Sequence, residues 1–93
     1  MSIHSLTKDA IEKILQEQFK PLSLEVIDDS HAHRGHAAAL EQPQAGHFSV
    51  MMVSEAFNGL NQVKRHRLVY QALGELMHAK IHALSLNLRA IDE

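Results

Sequence analysis

Eight of the 93 residues are histidine, and they are internal and scattered rather than gathered in a tag. Imidazole changes protonation near neutral pH and, when neutral, is a common ligand for zinc, copper and iron. His31, His33 and His36 fall within six positions, His47 follows, and His78 and His82 stand four apart. The chain has no cysteine, which excludes disulfides, thiolate metal sites and cysteine nucleophiles together. His31-Ala-His33-Arg-Gly35-His36 partly matches the H-x-H-x-D-H arrangement of binuclear zinc hydrolases. Gly35 replaces the aspartate, however, and the chain is far too short for that fold. A loop histidine serving some metal centre and a solvated polar loop both fit this stretch. His78 and His82 would clamp an ion on a continuous helix, but Ala79 and Lys80 mark a helix-to-strand turn between them.

A second kind of chemistry lies in Lys64-Arg65-His66-Arg67. Residues 61–80 carry Lys64, Arg65, Arg67 and Lys80 against Glu75 alone, a local balance of +3, whereas residues 1–30 carry three lysines against six acids. Such a patch suits phosphates, whose contacts give affinity without reading sequence. It also suits a plain solvated helix face. Four aromatic residues are too few for a base-stacking platform. No carboxylate pair is persuasive, because Asp28 and Asp29 are adjacent and would point to opposite faces of a strand. With no Ser-His-Asp order and no phosphate-cradling glycine loop, the chain is not expected to be an enzyme.

These residues must be positioned by one small domain. The composition, 45% hydrophobic and 22% charged with a net charge of −2, is that of a soluble globular protein. No apolar run approaches the roughly 20 residues of a membrane span, and no signal-peptide pattern opens the chain, so a cytoplasmic location is expected.

Ile11, Ile14, Leu15 and Phe19 recur at helical spacing, with Thr7 as the expected N-cap and Asp9 in the first turn. Pro21 ends this helix near Phe19 and is expected to push Lys20 toward extended geometry. Leu22 to Ile27 reads as a strand with Leu24 and Val26 on one face. Residues 30–46 read as a long, mobile loop. His47 to Ser54 reads as a second strand, with Phe48, Val50 and Met52 facing one way and its pairing direction left open. A turn plugged by Phe57 leads to a helix expected from Asn61 to Met77, its apolar side formed by Leu68, Val69, Ala72, Leu73, Leu76 and Met77. In the last strand, Lys80 to Leu88, alternation puts His82 on the packing face with Leu84, Leu86 and Leu88. The order α-β-β-α-β specifies a two-layer α+β sandwich: a three-stranded sheet with helices on one face, and a core spanning about residues 7–89.

Four segments, LEVIDDSHAHRGH at 24–36, HFSVMMVSEAF at 47–57, RHRLVYQALGEL at 65–76 and IHALSL at 81–86, resemble the BolA-like family in order and spacing. The likeness runs from Ile11 to Leu86. Asp29 stands where many relatives have glutamate, and the 37–46 stretch is particular to this chain. The resemblance implies a KH-like fold and partnership with a monothiol glutaredoxin. It further implies a shared two-iron two-sulfur (2Fe-2S) cluster, for which the glutaredoxin and its glutathione supply thiolates. The family's C-terminal histidine maps onto His82, and its second ligand comes from between the first two strands. Without cysteine that ligand must be a histidine: His47 first, because it begins a strand, then His36, then His31 and His33. Alone, the chain is expected to be a monomer or weak homodimer. The resemblance also implies a competing role, DNA-binding transcription regulation in stress response and cell morphology, through Lys64, Arg65, Arg67 and Lys80. The KH-type G-x-x-G clamp is absent.

Overall fold

The computed structural model describes residues 3–30 and 46–92. Helix α1 (Ile3–Phe19) leads into strand β1 (Ser23–Asp28), followed by β2 (Gly46–Val53) and a short 3-10 turn, Glu55–Phe57. Helices α2 (Gln62–Leu73) and α3 (Glu75–Ala79) come next, and strand β3 (Ile81–Arg89) closes the fold. The strands form one sheet in the order β1-β2-β3. β2 is central, antiparallel to β1 and parallel to β3, which settles the pairing direction that the sequence leaves open. The α+β sandwich is the one expected from the sequence. The loop read over 30–46 lies, apart from its two ends, outside the described residues.

Strand alternation builds the core. Val26, Phe48, Val50, Met52 and Leu88 point from the sheet to the helical side, where Ile11, Leu15, Val69 and Leu73 meet them, all at most 5% exposed. The other sheet face is open: Glu25, Ser85 and Asn87 are exposed there, and so are Ile27 and Met51. One solvated face is ordinary for a sheet containing antiparallel strands.

Four local expectations are corrected. The first helix begins before Thr7, which is buried within it and donates its hydroxyl to the Ile3 carbonyl at 3.1 Å. No breaker precedes Thr7, and the His4 ring packs edge-on to Phe48 with centroids 6.4 Å apart. Lys20 is left-handed, at φ +42°, rather than extended. Pro21 disfavours the right-handed helical well at Lys20. The left-handed one lets the Lys20 N–H close the helix on the Gln16 carbonyl at 3.1 Å.

The helix expected over Asn61–Met77 is broken at Gly74. Asn61 caps α2 by accepting the Lys64 N–H at 2.9 Å, as expected. Gly74 then takes φ +53°, open to glycine, and the chain restarts as α3.

The fourth correction concerns β3. Gly46 pairs with Ile81, but His47 pairs with Ala83, so His82 is the extra residue of a β-bulge. Simple alternation fails across a bulge. Ile81 turns into the core at 5% exposure, whereas His82 is exposed and off the Leu84-Leu86-Leu88 face.

Candidate functional site

The bulge brings His82 to His47. Their ring centroids lie 4.9 Å apart and the ring planes meet at 49°. His47 is half-buried and His82 is exposed. His47 reaches the open side of the sheet because its neighbour Phe48 is fixed inward by the core. Two imidazoles bound to one tetrahedral ion at about 2.1 Å place their ring centres about 5 Å apart. The observed spacing fits such an ion.

The backbone around His47 is held from both neighbouring strands. Its carbonyl accepts the Asp29 N–H at 2.8 Å, and its own N–H is donated to the Ser30 hydroxyl at 3.1 Å. Ser30 is fixed in turn by an Asx turn, its N–H donated to Asp28 Oδ1 at 2.9 Å. Asp29 accepts a hydrogen bond from the Ser49 hydroxyl. On the β3 side, the Gly46 N–H is donated to the Lys80 carbonyl at 2.9 Å, just before the bulge.

Gly46 is required for lack of space. A Cβ there would stand 2.7 Å from Phe48 Cε2 and Ser30 Oγ and 2.8 Å from His4 Nδ1. That His4 nitrogen is buried and has no hydrogen-bond partner among the described residues.

Two nitrogen donors are half of a four-coordinate set. Among the described residues no group of three or more His, Asp or Glu side chains is placed to hold a metal. His47 and His82 thus have no third side chain of these types grouped with them among the described residues, which leave out 31–45. His36, like His31 and His33, lies in that undescribed segment. His78 is exposed on α3, which ends at Ala79, so no helical clamp with His82 forms.

The basic residues separate. Lys64 and Arg67 are exposed on α2, and Lys80 is half-buried at the turn into β3. Arg65 is corrected from a phosphate-binding residue to a buried one, 6% exposed. Its guanidinium donates through Nε to the Leu60 carbonyl at 2.9 Å and through a terminal nitrogen to the Leu88 carbonyl at 3.1 Å. These bonds tie the start of α2 to the end of β3. The sequence carries a signal for this: Arg65, Val69 and Leu73 stand four apart, on one buried helical stripe. Sequence reasoning also misses Ser30 and Gly46, whose roles depend on a strand pairing that no local pattern reveals.

Known proteins share this arrangement of elements. The family described as BolA-like protein matches residues 15–93. The chain is 35% identical over 88 residues to the DNA-binding transcriptional regulator BolA of Escherichia coli K12, covering 95% of this chain and 79% of that protein. It is 42% identical over 89 residues to an uncharacterised protein of a Sinorhizobium species, covering 96% of this chain and 95% of the relative. Its fold resembles the BolA domain of SufE1 from Arabidopsis thaliana, with a TM-score of 0.79 at 35% identity over 91% of this chain and 92% of that one.

Proposed function

The chain belongs to the BolA-like protein family, and from that premise we propose that it is a non-enzymatic iron–sulfur adaptor that shares a 2Fe-2S cluster with a monothiol glutaredoxin, in iron sensing or cluster trafficking. One observation carries the reading: His47 and His82, distant in sequence, meet with ring centroids 4.9 Å apart on the open face of the sheet. A chain without cysteine offers imidazoles to one iron and leaves the thiolate positions to its partner. Histidine ligation of one iron raises the potential of such a cluster above that of an all-thiolate centre. This chain's own part is to hold the two rings at a fixed spacing, to expose His82 to the incoming partner, and to bind through neutral imidazoles.

The experiment mixes the chain with glutathione-loaded monothiol glutaredoxin, ferrous iron and sulfide. A heterodimer is expected whose visible absorption and circular dichroism differ from those of the glutaredoxin homodimer. His82→Ala and His47→Ala should each abolish that difference. An unchanged spectrum in both variants sinks the ligand assignment.

A second reading, a DNA-binding regulator in the cytoplasm, is favoured by the exposure of Lys64 and Arg67 on α2 and by what the E. coli relative is named. It uses Lys64, Arg67 and Lys80, without Arg65. Its mark is salt-dependent binding to promoter DNA that weakens in a Lys64→Ala, Arg67→Ala double variant.

A further inference from the structure

We propose that Ser30 is the positioning residue for His47, its hydroxyl standing in for a strand carbonyl that the chain no longer provides; as an account of ligand geometry this rests on the adaptor reading above. In the antiparallel pairing of β1 with β2, register partners run from Ser23↔Val53 to Asp28↔Phe48. One step further, the Asp29 N–H still reaches the His47 carbonyl at 2.8 Å. The return bond is made differently. The His47 N–H goes to Ser30 Oγ at 3.1 Å, a side-chain atom, because the backbone has already turned away from the sheet.

The turn is not loose. Asp28 Oδ1 accepts the Ser30 N–H at 2.9 Å, which fixes where the Ser30 side chain starts. Behind it, Ser30 Oγ, Phe48 and His4 crowd the place a Gly46 Cβ would take, so that a methyl group enters only if one of these side chains shifts. The hydroxyl is thus wedged between the core and the His47 amide, where it can govern the angle at which the His47 ring leaves the sheet. His82 is set from the opposite side by the bulge and the Gly46–Lys80 bond. Ser30 therefore controls the His47 half of the pair and leaves the His82 half alone. Removing a group that orients a metal ligand costs affinity without removing the ligand.

The test has two arms. In the chain by itself, NMR amide exchange of His47 should speed up severalfold in Ser30→Ala and return toward wild type in Ser30→Thr, with the Val50 and Leu88 amides unchanged. Unchanged exchange at His47 in Ser30→Ala overturns the proposal. Should the alanine variant fail to fold, Ser30→Thr and Ser30→Val, alike in shape but differing in the hydroxyl, make the same comparison. In the glutaredoxin complex, Ser30→Ala should shorten cluster lifetime roughly tenfold and broaden the electron paramagnetic resonance of the reduced cluster, and Ser30→Thr should restore both. Wild-type lifetime and spectrum in Ser30→Ala, alongside loss in His47→Ala, also overturns it. If His47→Ala and His82→Ala are themselves without effect, the adaptor reading fails instead, and the exchange arm alone decides whether Ser30 holds His47.

Discussion

Two regions of this molecule offer chemistry in the sequence with similar force, and folding treats them oppositely. His47 and His82 are separated by an entire helical segment, and alternation assigns His82 to the packing face. The fold brings the two rings together and exposes His82. Lys64, Arg65 and Arg67 are nearly contiguous, yet the fold takes Arg65 out of the set and buries it against two backbone carbonyls. Proximity in sequence is therefore a poor guide to a shared site here. What decides is which residues the backbone hydrogen bonding recruits. A bulge releases a histidine to solvent, and a strand terminus captures an arginine.

The largest effect that tests this contrast is on stability. Arg65→Ala leaves the Leu60 and Leu88 carbonyls without their charged donor and should cost about 3 kcal/mol. For a domain of this size, that is a fall in melting temperature of well over 10 °C. Arg67→Ala, two residues along on the solvent side, should stay within about 0.5 kcal/mol of wild type. Thermal melts of both variants separate the two roles. A thermally normal Arg65→Ala with weakened DNA affinity would return Arg65 to the surface patch.

Next in size is Gly46→Ala, where a methyl group meets three atoms at under 3.0 Å. Overpacking of this kind costs about 1–3 kcal/mol. It should also perturb the His47 and His82 imidazole NMR signals, which Gln71→Ala on the exposed side of α2 should not reach. Urea denaturation and histidine-selective NMR on the two variants check this. Equal behaviour would mean that the neighbourhood of His47 is softer than its packing implies.

On the basic side, a Lys64→Ala, Arg67→Ala double variant should flatten the dependence of log K on log salt for DNA by about 2, one unit for each phosphate no longer neutralised. Fluorescence anisotropy over a salt series measures it, and an unchanged slope removes α2 from the DNA-binding reading. The smallest effect is the stability of His82→Ala itself. An exposed side chain on a bulge should change folding free energy by less than about 0.5 kcal/mol. A larger destabilisation by chemical denaturation would mean that His82 serves the fold rather than a ligand.

Most of the fold is legible in the sequence because it depends on local patterns. Phe48, Val50 and Met52 alternate, Ile11 and Leu15 recur at helical spacing, and both kinds of pattern place their residues in the core. Asn61 announces its cap. The failures share another cause: each turns on where backbone groups find partners across the fold. Thr7 reads as a cap because it is the right residue type near the right place, but the helix continues past it toward Ile3. Gly74 sits within an unbroken apolar period that conceals a break, and its left-handed φ has no signature apart from being glycine. The face of His82 cannot be read at all, since a one-residue register shift between Gly46 and His47 reverses the alternation beyond it. The resemblance to the family singles out His82, with His47 ranked first as its companion, without saying where either ring points; the structure sets the two rings side by side.

The central claim is that His47 and His82 act as a pair of ligands in a complex with a thiolate-bearing partner. The most direct measurement is the electron paramagnetic resonance spectrum of the reduced cluster in the glutaredoxin heterodimer, with both imidazoles labelled with nitrogen-15 and hyperfine couplings recorded. The account predicts two inequivalent imidazole nitrogens coupled to the reduced iron, one absent in His47→Ala and the other in His82→Ala. A spectrum with no histidine nitrogen coupling, or with coupling that survives both substitutions, would contradict it.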